Sequence, residues 1–315
     1  MTDFGRVGVL LGGLSSEREI SLLSGRAVLQ ALRSRGVNAH PFDPGLQTMC
    51  ELEQARFDRV FIALHGRFGE DGTIQGVLET LRIPYTGSGV QASSIALDKL
   101  VTKRLWVWAG IPTPAWRELQ ADGDYSAVLQ ELGGPVVVKP RTEGSTIGIT
   151  KVFSNASGEL AQAATDALRY DTRIFAEQLI EGRELTCAIL GAGAGARALP
   201  LIEIRAPQGN YDYQNKYFKD DTQYLCPAPV EPPLAERIQR ICVQAYTIVG
   251  ARGWGRVDVM LKPEPDGEQP LLLELNTSPG MTGHSLVPMA ARAAGMDFPD
   301  LVLRILSEAT LEVAT

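Results

Sequence analysis

The sequence predicts an α/β protein, and two features carry that expectation. In the first hundred residues, short apolar runs (Arg6 to Leu11, Asn38 to Phe42, Arg59 to Leu64) alternate with helical periodicity, the pattern of a parallel sheet. Toward the carboxyl end, Gly255-Arg256-Val257-Asp258-Val259-Met260-Leu261 and Leu271-Leu272-Leu273-Glu274-Leu275-Asn276 are apolar enough to be buried strands. The turn between them is compositional, Lys-Pro-Glu-Pro-Asp-Gly-Glu-Gln-Pro, with Asp266-Gly267 at its centre.

The elements follow in order. The strand from Arg6 to Leu11 ends in Gly12-Gly13, and Ser16-x-x-Glu19 has the form of a capping box. The helix it opens runs through Ile20, Leu23, Ala27, Val28 and Ala31 to about Arg35, where Gly36 stops it. A glycine turn opening a helix offers N–H groups to an anion, but the full G-x-G-x-x-G is missing, so a dinucleotide site is not supported. Val60-Phe-Ile-Ala-Leu64 leads into His65-Gly-Arg-Phe-Gly-Glu-Asp-Gly72, a loop at the carboxyl end of a parallel strand, where α/β proteins bind ligands. His65 is there either as a structural loop residue or as a ligand contact. A helix from Ala92 to Trp108 carries Lys99 and Lys103.

A second unit opens with Val136-Val-Val-Lys139-Pro as a strand, followed by the glycine-rich Arg141-Thr-Glu-Gly-Ser-Thr-Ile-Gly-Ile149. That loop is not a Walker A sequence. It is an ordinary hairpin, or it folds over phosphates with its N–H groups. Gly158 to Tyr170 reads as an amphipathic helix, and Ile174 to Ile180 as a strand. Glu177 and Glu184 flank the crossing to the next unit. Residues 206 to 230 are long, polar and aromatic, a lid or a disordered stretch. Glu231 to Val249 is a helix leading to the strand pair, and Ser285 can cap the helix that follows it.

In a strand pair turning at Asp266, Asp258 faces Glu274. Arg256 and Asp258 share a face, as do Glu274 and Asn276, with Val257, Val259, Leu261, Leu271, Leu273 and Leu275 on the other side. Adjacent buried carboxylates are costly unless a cation joins them. Oxygen donors of Asp, Glu and Asn suit a hard ion, Mg²⁺ first. The alternative is a pair of core strands whose polar residues lie at a solvated edge.

Composition narrows the classes. The 315 residues are 44% hydrophobic and 21% charged, enough for two or three globular domains. The net charge is -7 and no block of Lys or Arg occurs, so nucleic acid and anionic membrane are excluded as expected partners. Cys50, Cys187, Cys226 and Cys242 form no C-x-x-C pair and read as free thiols of a reducing cytoplasm. No signal peptide is expected before the first strand, and no apolar run reaches the roughly 18 residues of a membrane span.

Together, Glu274-Leu-Asn276-Thr-Ser-Pro-Gly280, Gly255-Arg256-Val-Asp258-Val, Glu143-Gly-Ser145-Thr-Ile-Gly148 and Val138-Lys139-Pro resemble the ATP-grasp carboxylate–amine ligases. Leu11-Gly-Gly-Leu-Ser-Ser-Glu17, Ala63-Leu-His65-Gly-Arg-Phe-Gly-Glu-Asp-Gly, Pro84-Tyr-Thr-Gly-Ser-Gly-Val and His284-Ser285-Leu286-Val-Pro narrow the resemblance to the D-alanine:D-alanine ligase family, over nearly the whole chain. The resemblance implies an ATP-grasp fold of three α/β domains: a Rossmann-like parallel-sheet substrate domain (1–96), a central subdomain (97–180) and a carboxy-terminal subdomain with the metal site and lid (181–315). It also implies a cytoplasmic homodimer that makes D-alanyl-D-alanine for peptidoglycan precursors.

By the same resemblance, Lys99 and Lys139 would contact the phosphates of ATP, beneath the loop bearing Ser145. Glu177 would meet the adenine, Glu184 the ribose, and Lys216 the terminal phosphate. Asp258, Glu274 and Asn276 would hold two Mg²⁺ ions, with Mn²⁺ as a substitute. Glu17 would bind the first D-alanine's ammonium with His65 nearby, and Ser145 and Tyr217 would hydrogen-bond toward Glu17. Ser285 and Leu286 would take the second D-alanine's carboxylate. Arg256 and the Gly280 N–H would form an oxyanion hole. Tyrosine at position 217 goes with a D-alanine acceptor and histidine with D-lactate. Two departures from the family pattern stand out: Gln178 where lysine is common beside the adenine, and Thr146 where a second serine is usual.

The chemistry fits these residue types independently. A carboxylate is a poor electrophile until phosphorylation gives it a leaving group, and lysines with divalent ions supply the charge that this transfer needs. The acyl phosphate must then be kept from water until an amine attacks it. The rivals are a D-alanine:D-lactate ligase or another ATP-grasp amino-acid ligase, and, from another class, a nucleotide-binding regulator without turnover.

Overall fold

Apolar residues bury β1 (Arg6–Leu10) on both faces, as a central parallel strand requires. It lies between β2 (Asn38–Phe42) and β3 (Arg59–Ile62), parallel to both, with Val7 level with Ala39 and Arg59. In the computed structural model, which describes residues 3–121, 123–144, 147–154, 156–206 and 222–312, this three-stranded sheet is the first of three. Helices α1 (Arg18–Ser34), α2 (Met49–Gln54) and α3 (Thr73–Thr80) connect and flank its strands.

Two helix starts differ from expectation. Glu17 occupies the cap position of α1 and no side chain caps it, so the Ser16–Glu19 box does not form. Ser15 acts instead: its hydroxyl accepts from the Glu17 N–H at 3.2 Å and donates to the His65 carbonyl at 2.7 Å. The helix predicted from Ala92 to Trp108 is two, α4 (Val90–Leu97) and α5 (Lys99–Trp108), broken where Asp98 turns extended (ψ 96°). The Asp98 carboxylate accepts from the Leu100 and Val101 N–H groups, a side-chain cap that favours ending one helix and starting another.

The second sheet is antiparallel, in the order β4 (Trp116–Leu119), β7 (Ile174–Gln178), β5 (Val136–Pro140), β6 (Thr150–Val152). Helices α6 (Tyr125–Leu132) and α7 (Ser157–Ala167) close its core through Leu129, Leu132, Leu160 and Ala164.

The third sheet runs β11 (Gln223–Leu225), β10 (Ile202–Arg205), β8 (Arg183–Leu190), β12 (Trp254–Glu264), β13 (Gly267–Asn276), with β9 (Arg197–Ala198) beside β8. Part of the expected lid is therefore strand: Leu225, Tyr224 and Gln223 pair with Glu203, Ile204 and Arg205, completing an edge that a free loop would leave open. Residues 207–221, with Lys216 and Tyr217, lie outside the described residues, as do Ser145 and Thr146. Helix α8 (Pro232–Ile248) covers one face of this sheet. Helices α9 (Leu286–Ala293) and α10 (Phe298–Ser307) return to the amino-terminal unit, where Leu301 and Ile305 share one core with Val7, Val28 and Leu32.

Asp258 pairs with Glu274, as the hairpin predicted, by a route the sequence did not show. The strands turn between Glu264 and Gly267, one register step away from a turn centred on Asp266. An irregularity between Asp258 and Val259 shifts the partner from Leu272 to Glu274. The bulge falls at Leu273, and bulges re-aim side chains. The expected alternation of Leu271, Leu273 and Leu275 is thereby broken: Leu272 and Leu275 join the core, while Leu273 and Glu274 both line a cleft.

Candidate active site

Two clefts meet where the three sheets converge. One is lined by Glu17, Glu70, Arg256, Asn276, Gly280, Ser285 and Leu286. The other is lined by Lys139, Glu177, Gln178, Glu184, Asp258 and Leu273. Lys99, Gly144 and Glu274 line both, so these three form the wall between them. Lys99 Nζ lies 3.2 Å from Glu274 Oε2 and donates to the Glu143 carbonyl at 2.6 Å. The lysine ties the glycine-rich loop after β5 to the acidic strand β13.

Glu17, at the start of α1, is 6% exposed and sits between two glycines. A methyl carbon on Gly66 would come within 2.8 Å of its Oε2, and one on Gly144 within 2.7 Å. Gly66 also has a φ of +68°, which disfavours any side chain. Gly66 is thus required by its backbone, while a side chain at Gly144 would press the Glu17 carboxylate aside.

Behind Glu17, His65 is buried and lies outside the cleft lining. Its Nδ1 is 2.8 Å from the Ser278 carbonyl and its Nε2 3.0 Å from Ser24 Oγ. Glu70, which does line the cleft, stands 3.7 Å from Nδ1. Burial pushes the Glu70 carboxyl up to about 7, the neighbouring Glu17 adding to the shift and His65 opposing it. Burial works against a charged His65, but its hydrogen bond and ion pairing with Glu70 outweigh this and hold it above its ordinary value. The two groups are thereby coupled, each favouring the other's charged form.

On β12, Arg256 donates to both oxygens of Asp258, at 2.8 and 2.7 Å, and Thr186 Oγ1 donates to Asp258 Oδ1 at 2.7 Å. Asn276 pairs across the hairpin with Arg256, and its Oδ1 accepts from the Ser278 N–H at 3.1 Å. Asp258, Glu274 and Asn276 thus bring only oxygen donors to the meeting of the clefts, the donor set a hard divalent cation takes. Among the described residues no group of three or more His, Cys, Asp or Glu gathers as a metal site; this set has two carboxylates and an amide.

Glu177 on β7 is buried between two lysines. Lys139 pairs with its Oε1, and Lys103 Nζ lies 2.8 Å from its Oε2. Burial alone would raise the Glu177 carboxyl, yet the Lys103 and Lys139 charges hold it below its usual range. Lys139 is opposed by burial but raised by Glu177 and Glu274. Lys103, more deeply enclosed, is pushed down by burial. Glu184 lies on β8 in register with Ile204 and Met260 and lines the same cleft as Gln178.

Ser285 takes the cap position of α9, but its side chain does not cap the helix. Its Oγ turns to the preceding loop and accepts from the Thr282 N–H at 2.8 Å. Gly280 is close behind it: a methyl carbon there would meet Ser285 Oγ at 2.9 Å.

Sequence reasoning passed over Lys103 and Glu70. Lys103 had a signal, since it follows Lys99 by one helical turn. Glu70 stood in the quoted loop after β3 with nothing to separate it from Asp71.

Comparison with known proteins bears on this arrangement. Residues 43–88 match the family model described as D-ala D-ala ligase N-terminus, and residues 105–307 the one described as D-ala D-ala ligase C-terminus. The chain is 60% identical over 311 residues to the D-alanine–D-alanine ligase of Ralstonia pickettii, covering 99% of this chain and 93% of that one. It is 59% identical to the Bordetella avium enzyme of the same name, over 98% of this chain and 96% of that one. Among solved structures, the Bacillus anthracis D-alanine–D-alanine ligase complexed with ATP superposes with a TM-score of 0.82 at 34% identity, over 96% of both chains.

Proposed function

The chain belongs to the D-alanine:D-alanine ligase family, and from that membership we propose how its residues divide the reaction. The protein is an ATP-grasp ligase: it joins two D-alanine molecules into D-alanyl-D-alanine through an acyl phosphate, releasing ADP and phosphate, for peptidoglycan synthesis. No helix among the described residues is long and apolar enough to cross a membrane. We further read it as a cytoplasmic homodimer with domains at 1–96, 97–180 and 181–315.

The cleft around Lys139 and Glu177 receives ATP. Glu177 and Gln178 face the adenine, Glu184 the ribose, and Lys99, Lys139, Ser145 and Lys216 the phosphates. The cleft around Glu17 receives the two D-alanines. Glu17 takes the first ammonium, with His65 acting through Glu70 and the loop carbonyls, and Ser285 and Leu286 take the second carboxylate. The observation that supports this reading best is the common wall, Lys99 with Glu274, where a phosphate from one cleft would meet a carboxylate from the other.

Asp258, Glu274 and Asn276 would hold two Mg²⁺, or Mn²⁺, which when bound neutralise phosphate oxygens during transfer. The chain's own groups do the rest. Lys99 faces the transferring phosphoryl group. Arg256 and the Gly280 N–H stand where negative charge develops on the acyl oxygen, a role in which one donor is worth about 2.7–4 kcal/mol. Tyr217 and Ser145, which lie outside the described residues, would by the family pattern hydrogen-bond toward Glu17.

Mass spectrometry of products from ATP, Mg²⁺ and a panel of D- and L-amino acids with D-lactate tests the reading. D-Alanyl-D-alanine as the main product is expected; a product from L-amino acids or an ester would overturn the assignment of the Glu17 cleft.

A further inference from the structure

We propose that Lys103 is a positioning residue: it keeps Glu177 paired and in place when ATP draws Lys139 away. The inference rests on assigning the Lys139 cleft to ATP.

The two lysines on Glu177 differ in access. Lys139 lines the cleft and its side chain is 13% exposed, whereas that of Lys103 is 1% exposed and lines neither cleft. Each takes a different carboxylate oxygen. An incoming phosphate can therefore reach one of them and not the other.

Lys103 is also held from behind. Its Nζ donates to Thr113 Oγ1 at 2.5 Å, and that hydroxyl donates to the Leu272 carbonyl at 2.7 Å. The chain of contacts runs from β7 through α5 to β13, two residues from Glu274. It fixes the ammonium between the second and third sheets.

Consider ATP binding without it. Lys139 would have to leave a carboxylate that is 1% exposed, and breaking one side of a buried ion pair is strongly unfavourable. With Lys103 in place, Glu177 retains a cation while Lys139 turns to the phosphates. The other charges facing this pair are Glu274 toward both lysines and Glu184 toward Lys139. Both are acidic, so neither can replace Lys103.

The test measures KM for ATP and for D-alanine, binding of a non-hydrolysable ATP analogue, and folding by circular dichroism. Lys103→Gln should raise the KM for ATP about tenfold or more, with the KM for D-alanine changed less than about twofold. Lys103→Arg should stay within about threefold of wild type for ATP. In a Glu177→Gln background, adding Lys103→Gln should alter the ATP KM less than about twofold, because no carboxylate then holds Lys139. Equal effects with and without the Glu177 carboxylate, or equal shifts in both substrates, would overturn the proposal. If Lys103→Gln does not fold alone, the Glu177→Gln pair and Lys103→Arg decide by the same limits. Lys139→Gln is the control for the underlying assignment: unchanged ATP binding there removes ATP from this cleft, whatever Lys103 does.

Discussion

Arg256 holds both oxygens of Asp258, at 2.8 and 2.7 Å, although the two side chains leave one strand only two residues apart. A residue proposed to serve the acyl oxygen and one proposed to hold a cation thus neutralise each other. Under the proposed roles, a cation held by Asp258 would compete with Arg256 for the same two oxygens. Each partner screens the other's charge in a site only 12% exposed on either side chain.

From this pairing, Arg256→Ala should lower kcat by about 10²–10³ while raising the KM for ATP little. Steady-state kinetics at varied ATP checks it. A change confined to the KM for ATP would make Arg256 a nucleotide contact.

Glu274→Gln preserves shape and removes the charge that both clefts share. Acyl-phosphate formation, followed as D-alanine-dependent phosphate release, should fall by at least about 10³ with the circular dichroism spectrum unchanged. Because Gln also frees Lys99 from its 3.2 Å ion pair, retained turnover in a folded variant would remove Glu274 from the metal site.

Glu70→Gln tests the titration near neutrality. A carboxyl raised to about 7 binds its proton more tightly folded than unfolded. Its favourable contribution is complete below the unfolded value of about 4.5 and is lost as pH rises through 7. His65, also raised, shifts stability in the same direction across its own range. Wild type should therefore lose on the order of 3 kcal/mol from Glu70 between about pH 4.5 and 7, and Glu70→Gln should lack that slope. Urea unfolding at several pH values measures it; parallel curves for the two proteins would refute the buried, proton-binding Glu70.

Under the proposed assignment, Tyr217 would select the acceptor. Tyrosine stays neutral near pH 7, with a reference pKa of about 10, whereas a protonated histidine would attract anionic D-lactate and repel an ammonium. Given equal D-alanine and D-lactate, the wild type should form dipeptide at both pH 6 and pH 8, while Tyr217→His shifts toward ester as pH falls. Ester as the main wild-type product at about pH 6 would contradict the role given to Tyr217.

The legible parts of the fold are those set by local pattern. The parallel alternation around β1 follows from side-chain periodicity, whereas the expected facing of Asp258 and Glu274 is reached only because a bulge offsets the actual turn. The bulge at Leu273 is not legible, because strand periodicity carries no mark of an inserted residue; beside it the Leu272 N–H leaves the ladder for the Pro112 carbonyl. The break at Asp98 was readable as a cap residue, yet apolar periodicity on either side outweighed it. Ser15 and Ser16 are chemically equal; only the approach of the His65 carbonyl, fifty residues along the chain, selects the first. The resemblance gave roles to Glu177 and Lys139, while Lys103, visible one turn after Lys99, gains its partner only from the approach of β7 to α5.

The helices that complete the first core come from the far end of the polypeptide. Val7, Val28 and Leu32 are sealed by Leu301 and Ile305, and Tyr85 pairs with Thr310. On the ribosome the amino-terminal sheet therefore emerges first and closes last. It must wait, with an apolar flank uncovered, through synthesis of the two sheets whose strands lie between. The β4–β7 sheet, with its own local core, is free to form during that interval. Chaperone dependence during translation should accordingly centre on the earliest segment made, and a chain cut short before Leu301 should leave that segment, not its own severed end, as the part recognised and degraded.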